Sequence, residues 1–418
     1  MSIEVVMSAK VILFCICSLL LGRNALFARI QGPAGEVINR PPPPPVDEAA
    51  AARAQQAARL RRQAAIADQF ELALKSGNTA IERFYSQRSD GTAPLLQKAL
   101  SEAEADYKRA AKLQPRDWRA LSGLGNVYYW ERRDADSELA YKRAISLKPN
   151  LAQLHADLSR TYWEERKLPE RFEALEHAAE LDPSMKLIWV HDTLAGWYSE
   201  ANRCDKAILT YKRLLAVTPP QYKSEGEFHW WKEQQLHWHR SLGANYMCVK
   251  RFSEAIAEYK ECIRLSGESG DATDGCRLGH AYAGARRYSE AIDTYEGVKA
   301  GAENNACADL GLGEVYVETQ DYDKAVEAFT RATKLEPDNW EGFAGLGISY
   351  YFQKQYESSL EPLRQASRLR AEVPQPHYYL GMSQLMLGHK SEAIEQYEEL
   401  KTLKSDFADR LLSEINKQ

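Results

Sequence analysis

The chain has 418 residues, with 54 Lys and Arg against 59 Asp and Glu and an apolar fraction of 44%. A net charge of −5 argues against nucleic acid as a partner, because such binders present a basic stripe; the apolar fraction is that of a soluble chain. Length alone predicts two or three globular domains, an expectation that the repeat described below replaces with one elongated domain.

At the N-terminus Lys10 precedes a short apolar run, Val11 to Gly22, followed by Arg23-Asn24 and Ala25-Leu26-Phe27-Ala28. A basic residue, a short apolar core and a small residue before Arg29 predict a secretory signal over residues 1–28, with an uncleaved anchor and membrane tether as the alternative. The run is shorter than the roughly 20 apolar residues of a membrane span. In both cases the bulk of the chain is expected outside the cytoplasm, secreted or periplasmic. Residues 29–47, with Gly32, Pro33, Gly35 and the run Pro41 to Pro45, predict an extended polyproline linker. Residues 48–117 follow as an Ala-rich helical cap and a partial repeat. The first half of this segment carries Arg53, Arg59, Arg61 and Arg62 but no apolar face, which predicts a solvated helix; Ile66, Phe70 and Leu74 then open a face for packing.

From there a pattern recurs. The steps from Gly279 to Gly313, Gly347 and Gly381 are each 34 residues. With that glycine as position 8, position 7 reads Leu124, Leu158, Leu194, Leu242, Leu278, Leu312, Leu346 and Leu380, and position 8 is always Gly, Ala or Ser. Position 11 is Tyr in every copy but the last, position 20 is small except at Arg171, and position 24 is Tyr, Phe or Leu. Pro115, Pro149, Pro183, Pro219 and Pro337 stand at position 32. Positions 4, 7, 8 and 11 share one helical face and positions 20 and 24 another, so each unit predicts two packed helices closed by a proline. The tyrosines are expected to be core.

This pattern resembles the tetratricopeptide repeat family, over eight clear repeats and the partial one ending at Pro115. The resemblance implies an all-α, right-handed α-solenoid of stacked helix-turn-helix units, with repeats over 118–221 and 236–407 and a capping helix over 408–418. It also implies a non-catalytic scaffold that binds a peptide or protein partner in a concave groove, needs no cofactor, and serves outside the cytoplasm. The alternative is an accessory subunit of an envelope enzyme or of a polysaccharide or protein export complex. The family lines its groove with positions 2, 5, 9, 12 and 13 of the first helices. Carried over, these give Arg119, Asn126, Tyr129, Trp130, Arg160, Trp163, Trp189, Arg240, Met247, Ile348, Tyr351, Phe352, Tyr378 and Met382. The family's clamp for a chaperone's C-terminal carboxylate needs Lys or Asn at three sites. Only Asn126 matches; Ser122, Asp157 and Trp189 occupy the other positions, which disfavours a chaperone adaptor.

One break interrupts the phase. Ala195 to Gly243 is 48 residues rather than 34, which predicts an aromatic and His-rich insert over 222–235; insertions in solenoids map to loops or lengthened helices, often at a binding face. Trp230, Trp231 and His237 are its candidate contact residues, although Trp231, Trp238 and Leu242 also share a helical face suited to core. His237 and His239 would point about 200° apart on a helix, so a metal site is not expected. Five cysteines remain after the signal. Cys276 and Cys307 stand at neighbouring inner-face positions of adjacent repeats where an oxidising compartment would let them pair, but buried small hydrophobes are the expectation for the set. No phosphate loop, GxSxG or HExxH motif occurs, so no enzyme is predicted. Phe407, Leu411, Leu412 and Ile415 form a stripe that caps the last repeat or seeds a dimer.

Overall fold

The structure, a computed structural model, describes residues 48–88, 92–218, 225–267, 272–301 and 305–417. The predicted signal and polyproline linker lie outside the described residues, as does Tyr222. Among the described residues there are helices and no strands, and no helix is long and apolar enough to cross a membrane.

The described residues divide into two units between Asp68 and Gln69. In the first, the described residues belong to the start of α1 (Glu48–Gln87), whose side chains from Ala49 to Asp68 are exposed apart from the half-buried Ile66. Alanine, with the best intrinsic helix propensity, accounts for helix here without a packed face.

The second unit is a run of helix pairs. The end of α1 pairs with α2 (Ala93–Leu113), α3 (Trp118–Trp130) with α4 (Asp134–Leu147), α5 (Ala152–Glu164) with α6 (Leu168–Glu180), and α7 (Ile188–Glu200) with α8 (Cys204–Leu215). Then come α9 (Glu225–Cys248) with α10 (Phe252–Ser266), α11 (Ala272–Gly284) with α12 (Tyr288–Gly301), and α13 (Ala306–Glu318) with α14 (Tyr322–Leu335). The last are α15 (Trp340–Phe352) with α16 (Tyr356–Leu369), α17 (Pro374–Met386) with α18 (Lys390–Thr402), and a closing α19 (Phe407–Ile415). Each helix packs on its successor, and first helices of several neighbouring repeats touch directly. This is the stacked all-α solenoid of helical repeats that the pattern predicts. The segment read as a partial repeat is a complete pair: Phe70, Leu74, Ile81 and Phe84 of α1 are buried with Leu100, Ala103 and Tyr107 of α2.

The periodic residues explain the packing. Position-11 tyrosines 128, 162, 198, 246 and 282 are buried, and position-24 rings such as Tyr141, Tyr211, Tyr259 and Tyr295 are at most 3% exposed. A β-carbon on Gly279 would lie 2.4 Å from the Tyr295 ring, and one on Gly311, at position 6 of the next repeat, 2.2 Å from it. Tyr295 is thus seated on the small position 8 of its own repeat and abuts position 6 of the next, as Phe329 does between Gly313 and Gly345, so these repeats lock their neighbours through the same side chain that fills their own core.

The described part of the insert is helix rather than loop. From Glu225 onward it extends the first helix of its repeat, giving 24 residues where neighbouring first helices have 13. Trp231 is 2% exposed and Trp238 fully buried, which corrects Trp231 as a contact residue: its ring packs edge-on against Trp238 at 5.7 Å. Trp230 and His237 remain exposed. His237 lies beside Asp192 of α7 and His239 meets Glu258 of α10 at 2.6 Å, so the two imidazoles point to different neighbours.

Cysteine usage also needs correcting. Cys204 is bonded to Cys248 and Cys276 to Cys307, leaving Cys262 as a buried thiol. Their Cα separations of 6.5 and 6.3 Å suit a bridge. The first pair was not expected from the sequence: its partners stand 44 residues apart, across the irregular repeat.

Candidate functional site

The side chains expected at the groove positions of the first helices fall into three stretches. In the first, Tyr85 of α1 lies against Asn126 and Trp130 of α3. The Asn126 amide and the Trp130 indole N–H both donate to its hydroxyl at 3.1 Å, and the Arg88 guanidinium covers the Trp130 ring. Asn126 and Trp130, read as partner contacts, are therefore already engaged within the chain. Arg119 is likewise tied, to Asp117 and Glu71. Its anchor Asp117 caps α3 by accepting the Arg119 N–H at 2.9 Å, the N-cap geometry that satisfies a helix's free donors.

A cavity of about 410 Å³ follows, lined by Tyr129, Ser159, Arg160, Trp163, Arg171 and Trp189. Trp163 is 54% and Trp189 39% exposed, unusual for the largest apolar side chain. Two guanidinium groups stack over this aromatic surface: Arg160 over Tyr129 at 4.7 Å and Arg171 over Trp163 at 4.0 Å. Arg171, the misfit at position 20, is the one functional candidate in this stretch that the sequence flagged without explaining. Burial pulls its pKa below the ordinary arginine value. Beside it, Phe172 and Trp197 stack at 4.1 Å and line a further hollow with Leu168.

The central stretch is polar. Arg240 does not face a ligand: its Nε and Nη2 donate to the two oxygens of Asp274 at 2.8 and 2.7 Å, and Arg277 adds a third bond. Asp274 is fully buried, so Arg240 is structural. Met247 and Ile348 line a cavity of about 600 Å³ together with His280, Glu314, Glu318, Trp340 and Glu341. Ile348 is only 8% exposed and belongs to that floor rather than to an open contact surface. In this cavity burial, and after it the charges of Glu341 and Glu318, push the Glu314 carboxyl up to about 7, while burial lowers His280.

At the far end Tyr351, Phe352 and Tyr379 form an aromatic cluster, with Phe352 stacked on Tyr322 at 5.3 Å. Phe352 stays 40% exposed. Tyr378 is covered by Phe407 of α19 at 4.8 Å, and Met382 packs in the same cluster with Leu411 and Ile415. The capping helix closes this end, which withdraws Tyr378 and Met382 from an open groove. Among the described residues, no group of three or more His, Cys, Asp or Glu has the arrangement to hold a metal ion.

Comparisons with known proteins agree with the repeat. Residues 313–354 match the family described as TPR repeat, and residues 99–152 and 377–403 match families described as tetratricopeptide repeat. Superkiller protein 3 of Schizosaccharomyces pombe is 29% identical over 104 residues, which are 25% of this chain and only 7% of that relative. Among solved structures, a tetratricopeptide repeat protein from Parabacteroides merdae is 13% identical over 63% of this chain and 98% of its own, with a TM-score of 0.49. MamA from Desulfovibrio magneticus RS-1 is 20% identical over 41% of this chain and 95% of its own, with a TM-score of 0.37.

Proposed function

Because this chain belongs to the tetratricopeptide repeat family, we propose that it is a non-catalytic scaffold outside the cytoplasm that holds a protein segment along the face of its first helices. The observation that carries this reading is the cavity of Tyr129, Arg160, Trp163, Arg171 and Trp189. Exposed tryptophan and preorganised arginine are the residue types that supply most of the energy in protein recognition. Here the guanidinium groups are already held on aromatic faces, so a partner meets them with little ordering left to do. Two cystine bridges support an oxidising compartment, where such bonds persist, and the apolar run after Lys10 supports export.

Affinity purification of the full chain from native extract, beside a Trp163→Ala/Trp189→Ala variant that keeps its circular dichroism, tests the site. A partner captured by the wild type and lost by the variant is the expected result. The same partner captured equally by both would remove the aromatic cavity as the recognition surface. The compartment is tested separately by alkylating the protein under denaturing conditions straight from its native cells: one reactive thiol per mature chain, Cys262, is expected, and five would place the protein in a reducing compartment.

A further inference from the structure

Two hollows adjoin around α5, α6 and α7 and share Trp163 and Arg171 as their common wall. The fold alone does not ask for Arg171. Position 20, where it stands, holds a fully buried alanine or serine in the other seven repeats, from Ser137 to Ala393. Here it carries a half-buried guanidinium, stacked over Trp163 at 4.0 Å and Phe172 at 5.7 Å. Arg119, Arg132, Arg133 and Arg240 each pair with a carboxylate. No described residue pairs with the Arg171 guanidinium, and burial alone acts on its pKa. A cation withdrawn from water without an anion is costly. Its neighbour Arg160 has Asp157 at 4.0 Å, and no carboxylate lines the hollow that the two arginines share.

A second observation lies across Trp163. Gly196 lines the other hollow with Leu168, Phe172 and Trp197. It is the one glycine at position 9 of the eight repeats and sits inside α7, where glycine costs stability relative to alanine. Gly279 and Gly313 are small because a ring is seated on them, but a β-carbon on Gly196 would meet nothing within 4 Å. Packing within the chain does not require this glycine. Its effect is to open a hollow of about 760 Å³ beside the stacked Phe172 and Trp197, with Leu168 46% exposed at the edge.

We infer that the two hollows together select an acidic residue next to a large apolar one in the bound segment. The inference rests on the scaffold reading above and names the chemistry which that site takes. The segment's carboxylate lies between Arg160 and Arg171 and accepts charge-assisted hydrogen bonds from guanidinium groups already held on aromatic faces. Its apolar side chain fills the space that Gly196 leaves, against Phe172 and Trp197. Glu200, the carboxylate in the second lining, confines the acidic residue to the Arg160 side. The net charge of −5 gives an acidic segment no general attraction to this chain, so its binding falls to these residues.

The test is fluorescence anisotropy of the full chain with a labelled (Glu-Gly-Phe-Gly)₄ peptide, capped at both ends so that only side chains carry charge. Its counterparts replace every Glu by Gln or every Phe by Ala. The parent peptide is expected to bind, and each counterpart about tenfold more weakly, the scale of one charge-assisted hydrogen bond or one buried side chain. Arg171→Ala restores the residue common at position 20, so its circular dichroism should be unchanged. It should weaken the parent peptide about tenfold and erase the preference for Glu over Gln. Gly196→Leu should raise the melting temperature, because leucine is the better helix former, yet weaken the parent peptide about tenfold by filling the hollow. Arg368→Ala on α16 carries the same charge change as Arg171→Ala and should leave binding unaltered. The inference is overturned by a parent peptide that fails to bind the wild type or binds no better than its Gln counterpart. It is equally overturned if Arg171→Ala or Gly196→Leu binds as well as Arg368→Ala. Capture of a partner through Trp163 and Trp189 would then still stand, so the two readings fail separately.

Discussion

At the turn inside every regular repeat, position 15 has a positive φ: Arg132, Arg166, Asn202, Lys250, Arg286, Gln320 and Lys354, and finally Gly388. Only the last copy uses the residue that adopts this conformation without steric cost. Seven L-residues held there by the packing of the two helices are local strain that the stacked core overrides. Lys354→Gly should therefore raise stability by about 0.5–1 kcal/mol in chemical unfolding, whereas a loss would mean that the side chain itself holds the turn. Arg240 carries the opposite kind of constraint. Because it satisfies the buried Asp274, Arg240→Ala should cost about 2 kcal/mol of stability; an unchanged unfolding midpoint would return it to the partner-contact set. Glu314 sets a pH dependence. Its folded pKa of about 7 lies above the ordinary 4.5, so its contribution to stability is full below the unfolded value and is lost as pH rises through the folded one. Its side chain keeps 57% exposure, so solvent screening makes the effect small. Glu314→Gln should raise the melting temperature at pH 8 and leave it unchanged at pH 4, and the reverse order would contradict the shift.

Among the elements, what was legible in the sequence followed from period. Leu at 7, a small residue at 8 and an aromatic at 24 are dictated by contacts between helices at fixed spacing, so the pairs from α3 to α18 could be read from composition at those positions. The elements that departed from period were harder. The end of α1 and α2 form a complete pair, but α1 runs long before the turn, which shifts Gly77 against its ring partner Tyr107 and hides the repeat. The insert reads as an unusual density of Trp and His, yet Trp231 and Trp238 are core of the lengthened α9. The Cys204–Cys248 bridge joins α8 to the end of that helix, a pairing that only the fold brings together. Replacing both partners with serine should lower stability by about 3 kcal/mol, the usual size for a loop of this kind, and reductant should then have a smaller further effect than on the wild type. No change in either would mean that the bond is not formed in the mature protein.

Over the run of repeats, stability comes from nearest neighbours, and the Tyr295 and Phe329 rings each contribute to two of them. That construction leaves the first-helix face free to vary, and its composition does vary: arginine on tryptophan between α3 and α7, carboxylates between α11 and α15, stacked aromatics around Phe352. The site was less legible than the fold because the family's groove positions name backbone places, not accessibility. Position rules identified Trp163, Trp189 and Phe352, which are exposed. They also picked Ile348, which is buried, and Trp130, Tyr378 and Arg240, which the chain covers or ties with Tyr85, Phe407 and Asp274. None of those partners is at a groove position or near in sequence, so no spacing rule could have found them. The most direct measurement of the central claim is hydrogen exchange of the full chain with and without the partner recovered by affinity purification. Slowed exchange confined to α3, α5, α7, α11, α13 and α15 and to the start of α6 around Arg171, with the other second helices unchanged, is the result this account predicts. Protection confined to the second helices or to residues 48–68 would contradict it.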